Sequence, residues 1–198
     1  RRRVLLAPPN DPSYNMLDME SVTEPSDAIW YQWAAHMMYC LEGWSLFPGT
    51  YYTSATKPAS APKLAVIDTG IDYTHADFAN AGSTSTDAAL GGQIDMSDSH
   101  NFLGGGSPNP LDDYGHGTHV AGIAAAAGNN GASYGGHGVI GIGYNAQIIA
   151  LKVLDDTGNG TASDVALAIT WAADKGAIVI NLSIGDYYYS QTEQDAID

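Results

Sequence analysis

The chain has 198 residues, 44% of them hydrophobic, with 23 glycines and a single cysteine. That size fits one globular domain or most of a larger one, and no apolar run reaches the roughly 18 residues that a membrane-spanning helix needs. Its 22 acidic against 7 basic residues give a net charge of −15, a field that repels nucleic acid and anionic membrane, so neither is expected as a partner. Solubility, calcium ligation or a saline habitat would each account for the excess.

Residues 1–26, with Pro8, Pro9, Pro12 and Pro25, are expected to be irregular. Arg1–Arg3 read either as the tail of a removed propeptide or as a solvated basic end. RRRVLLAPP is too short in apolar residues for a secretory signal. With no initiator Met, the chain is read as a mature, processed or partial product. A helix is expected over 27–43, capped by Ser26 or Asp27 and ended by Gly43. Ile29, Trp30, Trp33, Met37 and Leu41 fall near helical spacing there. Cys40 sits in WAAHMMYCLEG and is expected to be a buried structural thiol. Residues 48–62 read as loop, and KLAVID (63–68) as a short buried strand.

Residues 79–113 are rich in Gly, Ser and Asp, hence mostly loop, with a strand near 93–102. THVAGIAAAA (118–127) predicts a buried helix, and 128–143 a glycine-rich loop. QIIALKVL (147–154) predicts a strand with no polar residue between Gln147 and Lys152. Thr161 and Asp164 fit a capping box for a helix over 162–175. Val165, Ala168, Ile169 and Ala172 would share one side, and Gly176 would end it. AIVINLSI (177–184) is another apolar strand. Strand, helix, strand, with strands apolar on both faces, predicts an α/β fold of three layers, a mostly parallel sheet between helices.

Asp68 closes an apolar strand, where a parallel sheet opens into the crevice that α/β proteins use for their sites; the plain alternative is a turn cap. His116 stands between Gly115 and Gly117 at the mouth of a helix, where glycine lets other groups come close. A neutral imidazole there can take a proton from a nucleophile if a buried carboxylate fixes its tautomer, and Asp68 is such a carboxylate. The alternative is an ordinary turn histidine. His119 is expected to pack inside the helix. Zinc on His116 and His119, with Asp68, Asp72 or His75, is disfavoured. Paired helical ligands usually stand about four apart with a Glu between them.

AVIDTGID (65–72) followed by GHGTHVAGI (115–123) closely resembles the Asp and His signatures of the subtilisin-like serine proteases, the subtilases. NLSIG (181–185) resembles the strand that lines their substrate cleft, and VLDDTGNGTASD (153–164) the neighbouring strand-to-helix loop. PPNDP (8–12), Gln32-Trp33 and Trp44 resemble the amino terminus of thermitase-like members. The resemblance covers nearly the whole chain. It implies a subtilisin-like fold, incomplete here, with residues 1–14 as an amino-terminal arm and 15–198 as the first half of a peptidase domain. Residues 15–30 would be an insertion.

The resemblance makes Asp68 the triad carboxylate and His116 the general base and then acid. Ser183, Ile184 and Gly185 would form one wall of the substrate cleft, suggesting an apolar pocket. Gly158, Asn159 and Gly160 would form the other, with substrate held between them as an added strand. It also implies structural Ca²⁺ and no organic cofactor. The candidate ligands are Asp77, Ala127, Asn129 or Asn130, and Val139, with Asp11 from the arm; hard oxygen ligands suit Ca²⁺. The 127–141 loop is longer than the pattern expects.

The family's Gly-Thr-Ser nucleophile motif does not occur in this sequence, and its oxyanion-hole Asn is also expected downstream. The leading expectation is therefore the amino-terminal half of a secreted serine endopeptidase, inactive alone and monomeric when complete. Its partners would be a polypeptide substrate and a propeptide or inhibitor in the cleft. The alternative is a non-catalytic pseudoprotease or peptide-binding module. A third reading, a zinc hydrolase, would be exposed by stoichiometric zinc in the purified protein.

Overall fold

The computed structural model describes residues 17–18, 29–30, 32–46, 61–78, 92–104, 108–128 and 138–198. Its centre is a four-stranded parallel sheet built from β3 (Lys63–Asp68), β4 (His100–Asn101), β5 (Gln147–Lys152) and β6 (Val179–Leu182), in the order β4-β5-β3-β6. A two-residue antiparallel pair, β1 (Leu17–Asp18) and β2 (Ile29–Trp30), stands apart from it.

Side-chain alternation along the strands creates the layers. Ala65 and Ile67 of β3 and Ile149 and Leu151 of β5 point one way. They meet Val165, Ala168, Ile169 and Ala172 of α4 (Ala162–Asp174). Val66, Ile148 and Ala150 point the other way, toward Ala121 and Ala125 of α3 (His116–Ala125), with Ile71 and Phe78. A fully buried Val, Ile or Phe side chain contributes about 1.5–3 kcal/mol. The two central strands, buried on both faces, therefore anchor the molecule. α4 has the expected cap, with Asp164 N–H donating to Thr161 Oγ1, and the chain leaves it through Gly176 at φ +76°. α5 (Gln191–Ile197) packs beside α4 through Ala196.

Three expectations change. The 27–43 helix is instead β2, α1 (Trp33–Met37) and α2 (Cys40–Leu46). The break falls at Tyr39, which takes φ +55°, and Gly43 lies inside α2 rather than ending it. The buried side chains are Ala35, Cys40 and Trp44, which pack with Ile140 and Tyr144, while Met37 and Met38 are exposed. Cys40 is buried as expected; burial foremost, and the Glu42 charge second, push its thiol up. The proposed caps Ser26 and Asp27, and the 1–14 arm, lie outside the described residues.

The second change is in the 93–102 strand. It reduces to a bridge from Ile94 to Ile148 and the short β4, because Asp95 turns the chain between them through Ser97 and Asp98. The third concerns β6, which is not buried on both faces. Among the described residues it is the outer strand, pairing with β3 alone, and Val179 and Leu182 are exposed.

Candidate active site

β3 ends at Asp68, which is fully buried. Its Oδ1 accepts the N–H of Thr69 at 2.7 Å and lies 2.7 Å from His116 Nδ1. Its Oδ2 is buried without a hydrogen-bond partner among the described residues. His116 opens α3 with a ring that is 44% exposed. A carboxylate at Nδ1 fixes the proton on that nitrogen and leaves the Nε2 lone pair as the base.

Close approach of two backbones makes this pairing. A Cβ on Gly117 would stand 2.2 Å from the Gly70 carbonyl oxygen and 3.0 Å from Asp68 Cβ. One on Gly70, itself at φ +105°, would stand 2.4 Å from the Pro110 carbonyl oxygen. Only glycine at both positions lets α3 dock on the exit of β3.

The loop before α3 is held by residues that no sequence motif marks. Asp112 accepts the N–H groups of Tyr114, Gly115 and Thr118 and the hydroxyls of Thr69 and Thr118. Burial alone would raise its carboxyl. The bonds from Gly115, Thr118 and Tyr114 outweigh that and hold it below the usual carboxylate range. Thr69 Oγ1 accepts the N–H of Gly117, so one hydroxyl joins the carboxylate strand to the base helix. The legible signal was an Asp six residues before a Thr in the first turn of a helix, a spacing that reads as a cap only once the helix start is known.

His119 departs from expectation. It is exposed rather than packed inside, because the small residues Gly117, Ala121 and Ala125 take the sheet-facing side of α3. It lines a cavity of about 600 Å³ with Gln32, His75, Asp77, Ile123 and Ile140. Neither Asp68 nor His116 lines that cavity, so it is separate from the base pair. Among the described residues no three His, Cys, Asp or Glu side chains converge as a metal-binding group.

The expected walls lie at the carboxyl ends of β5 and β6. Gly158 takes φ +77° in a turn where Asp155 accepts Thr157 and Asn159 N–H groups. The Asn159 carbonyl accepts from Asp155 N, and the Asn159 side chain donates to Thr157 Oγ1. Gly160 is required by the chain itself, since a Cβ there would stand 2.1 Å from the Val153 carbonyl oxygen. Tyr114 covers Gly158, its ring 3.4 Å from where a Cβ would be. Ser183 and Gly185 are exposed beyond β6, and Ser183 Oγ accepts from Asn181. Ile184, the third expected wall residue, is half-buried and packs in part against the α4-side core.

Of the calcium candidates, the structure brings three together. Asp77 is buried in the 3-10 turn Ala76–Phe78, its carbonyl accepts the Ala127 N–H at 2.7 Å, and its Oδ2 accepts the Val139 N–H at 3.4 Å. Burial foremost raises its carboxyl, against the His75 charge and the Val139 bond. Ala127 and Val139 turn N–H donors toward Asp77, so of these three only the Asp77 carboxylate is placed as an oxygen ligand that a hard cation could use. Asp11, Asn129 and Asn130 lie outside the described residues.

A buried carboxylate that holds an exposed imidazole at the carboxyl end of a parallel sheet makes this an α/β protein with a polar pair in its crevice. Residues 59–198 match the Subtilase family, Peptidase_S8. The chain belongs to that family. It is 38% identical over 179 residues to the thermophilic serine proteinase of Bacillus sp. (strain AK1), covering 88% of this chain and 39% of that protein. It is 39% identical over 139 residues to thermitase of Thermoactinomyces vulgaris, covering 70% and 43%. Among solved structures it resembles a cold adapted subtilisin-like serine proteinase, with TM-score 0.50 and 28% identity over 68% of this chain and 40% of that one. The chain thus spans about two fifths of the length of these relatives.

Proposed function

We propose that this chain is the amino-terminal part of a secreted serine endopeptidase whose nucleophilic serine and oxyanion-hole Asn lie in downstream sequence. The observation that carries the reading is the 2.7 Å contact between Nδ1 of the exposed His116 ring and the fully buried Asp68. In this reading Nε2 takes the proton of the attacking serine hydroxyl and then gives it to the leaving amine. Asp68 holds the tautomer and stabilises the imidazolium. Water next attacks the acyl-serine by the same proton route. Gly158–Gly160 and Ser183–Gly185 would pair with the extended substrate.

The test is peptide hydrolysis by the full-length protein. His116→Ala and Asp68→Asn are expected to lower kcat by roughly 10⁴- to 10⁶-fold, and the isolated 198-residue chain to give no hydrolysis above background. Robust hydrolysis by that isolated chain would overturn the reading. A full-length protein that binds peptide but never cleaves it is instead a binding module.

In the same reading Asp77, with oxygens from the 127–139 loop and Asp11, would hold one structural Ca²⁺ that pins the arm against that loop. The ion supplies stability alone. At about a hundredfold excess over Kd it should add roughly 2.7 kcal/mol, seen as a higher Tm than in chelator. Equal Tm values in the two buffers would rule it out.

A further inference from the structure

We propose that Lys152 is the positioning residue of the Asp68–His116 pair, an inference that rests on the acyl-transfer reading of that pair. Lys152 is the last residue of β5 and lies directly beside Asp68 in the sheet register. It is only 3% exposed. A lysine is almost never buried so far unless its charge is paired, because an unpaired buried ammonium is strongly disfavoured.

Its three donors have three partners on three different segments. Nζ donates to the carbonyl of Thr69, to the carbonyl of Leu154 and to Asp113 Oδ1 at 2.6 Å. Thr69 is the residue after the carboxylate, Leu154 lies just past the exit of β5, and Asp113 stands three residues before the base. An ammonium supplies three donors from one compact charge, a geometry that the planar guanidinium of arginine does not reproduce.

Thr69 turns that anchor into a positional one. Its N–H donates to Asp68 Oδ1, and its hydroxyl accepts from Gly117 and donates to Asp112. Lys152 therefore grips Thr69, which bonds both the carboxylate and the first turn of α3. Through Asp113 it also grips the loop that delivers His116. Neither Asp68 nor His116 can shift without breaking a bond that traces to Nζ. Among the described residues, the charged or titratable groups on the segments that meet at His116 are Asp68 from β3, Asp72 from the turn after it, Asp112, Asp113 and Tyr114 from the preceding loop, His119 on α3, and Lys152 from β5. Asp155 lies within the field of Lys152.

The experiment compares the full-length protein with its Lys152→Met, Lys152→Arg, Asp113→Asn and His116→Ala variants, following kcat, KM and the pH profile of kcat/KM, with folding checked by circular dichroism. Lys152→Met is expected to lower kcat roughly 10- to 100-fold at nearly constant KM, the scale of a misplacement of about 1 Å. Lys152→Arg keeps the charge and should recover part of that activity. The acid limb should move in opposite directions. Removing the cation in Lys152→Met favours the imidazolium and raises the limb, and removing the anion in Asp113→Asn lowers it, each by a few tenths of a pH unit.

A merely structural bridge would weaken both variants without opposite shifts. Should Lys152→Met not fold, Asp113→Asn carries the test, since Asp113 is 53% exposed and its amide keeps the contact. Folded variants with unchanged kcat and an unmoved acid limb, beside an inactive His116→Ala, overturn the proposal. A His116→Ala variant as active as its parent overturns the site reading itself, and this proposal with it.

Discussion

Asp112 shows how one side chain sets the geometry of its neighbours. It does not touch His116, yet it caps the helix that His116 opens and ties that helix to Thr69. Its carboxyl is held below the usual range in the folded chain, whereas in the unfolded chain it titrates near 3.9. Its stabilising contribution is therefore fully present above about pH 3.9 and is lost as pH falls through the lower folded value. Asp112→Asn cannot titrate. At neutral pH it should cost about 1–3 kcal/mol, since hydrogen bonds to a charged group are worth that much. Thermal melts of parent and variant should differ by a constant gap from pH 7 to pH 5. The gap should narrow as pH falls below about 3.9, and one that keeps its neutral-pH size in stronger acid would show that the carboxylate charge is not what stabilises the turn.

At the scale of elements, α3 separates what glycine does by close approach from what it does by conformation. Gly117→Ala would drive a Cβ to 2.2 Å from the Gly70 carbonyl. Backbone cannot yield that far, so the expected cost is about 2–4 kcal/mol, and the hydrogen bond between Asp68 and His116 should break as α3 is pushed off β3. Gly122, on the same helix, has nothing within 4 Å of a built Cβ. Gly122→Ala should therefore stabilise by roughly 0.5–1 kcal/mol through helix propensity alone. Melting both variants checks the pair, and equal effects would mean that the close approach at Gly117 is not a constraint.

The same elements show what was legible in sequence. β3 came out at its observed bounds because a buried parallel strand is an unbroken apolar run with a polar stop. α4 came out because its cap, its apolar stripe and its terminal glycine all agree. Asp68 and His116 were legible because Asp68 closes an apolar strand and glycine flanks His116 on both sides. The 27–43 segment was not, because its large apolar residues suggested one helix while the turn at Tyr39 depends on packing of Trp44 against Tyr144 and Ile140. The Asp112, Thr69 and Lys152 network was not legible either, since its partners come from three segments that only the fold brings together.

For the whole molecule, two opposing surface properties decide behaviour in solution. The strip around β6 and α5 exposes Ile178 at 72%, Val179 at 54% and Ile197 at 62%, and β6 has a single partner strand among the described residues. An open apolar strand edge is a template for association. Against it stands a net charge of −15, which keeps copies apart while ionic strength is low. Screening shortens that repulsion from about 10 Å at 0.1 M salt to about 3 Å at 1 M, whereas burial of apolar surface does not weaken with salt. The isolated chain should therefore sediment as a monomer and bind a hydrophobic dye at low salt, then associate as salt is raised toward 1 M. In the proposed reading, sequence downstream of this chain would cover the edge, and the longer protein should lose both effects. A chain that stays monomeric and dye-free at 1 M salt would mean that it covers this strip by itself, and the open face of β6 would then not be the surface on which the rest of the protein assembles.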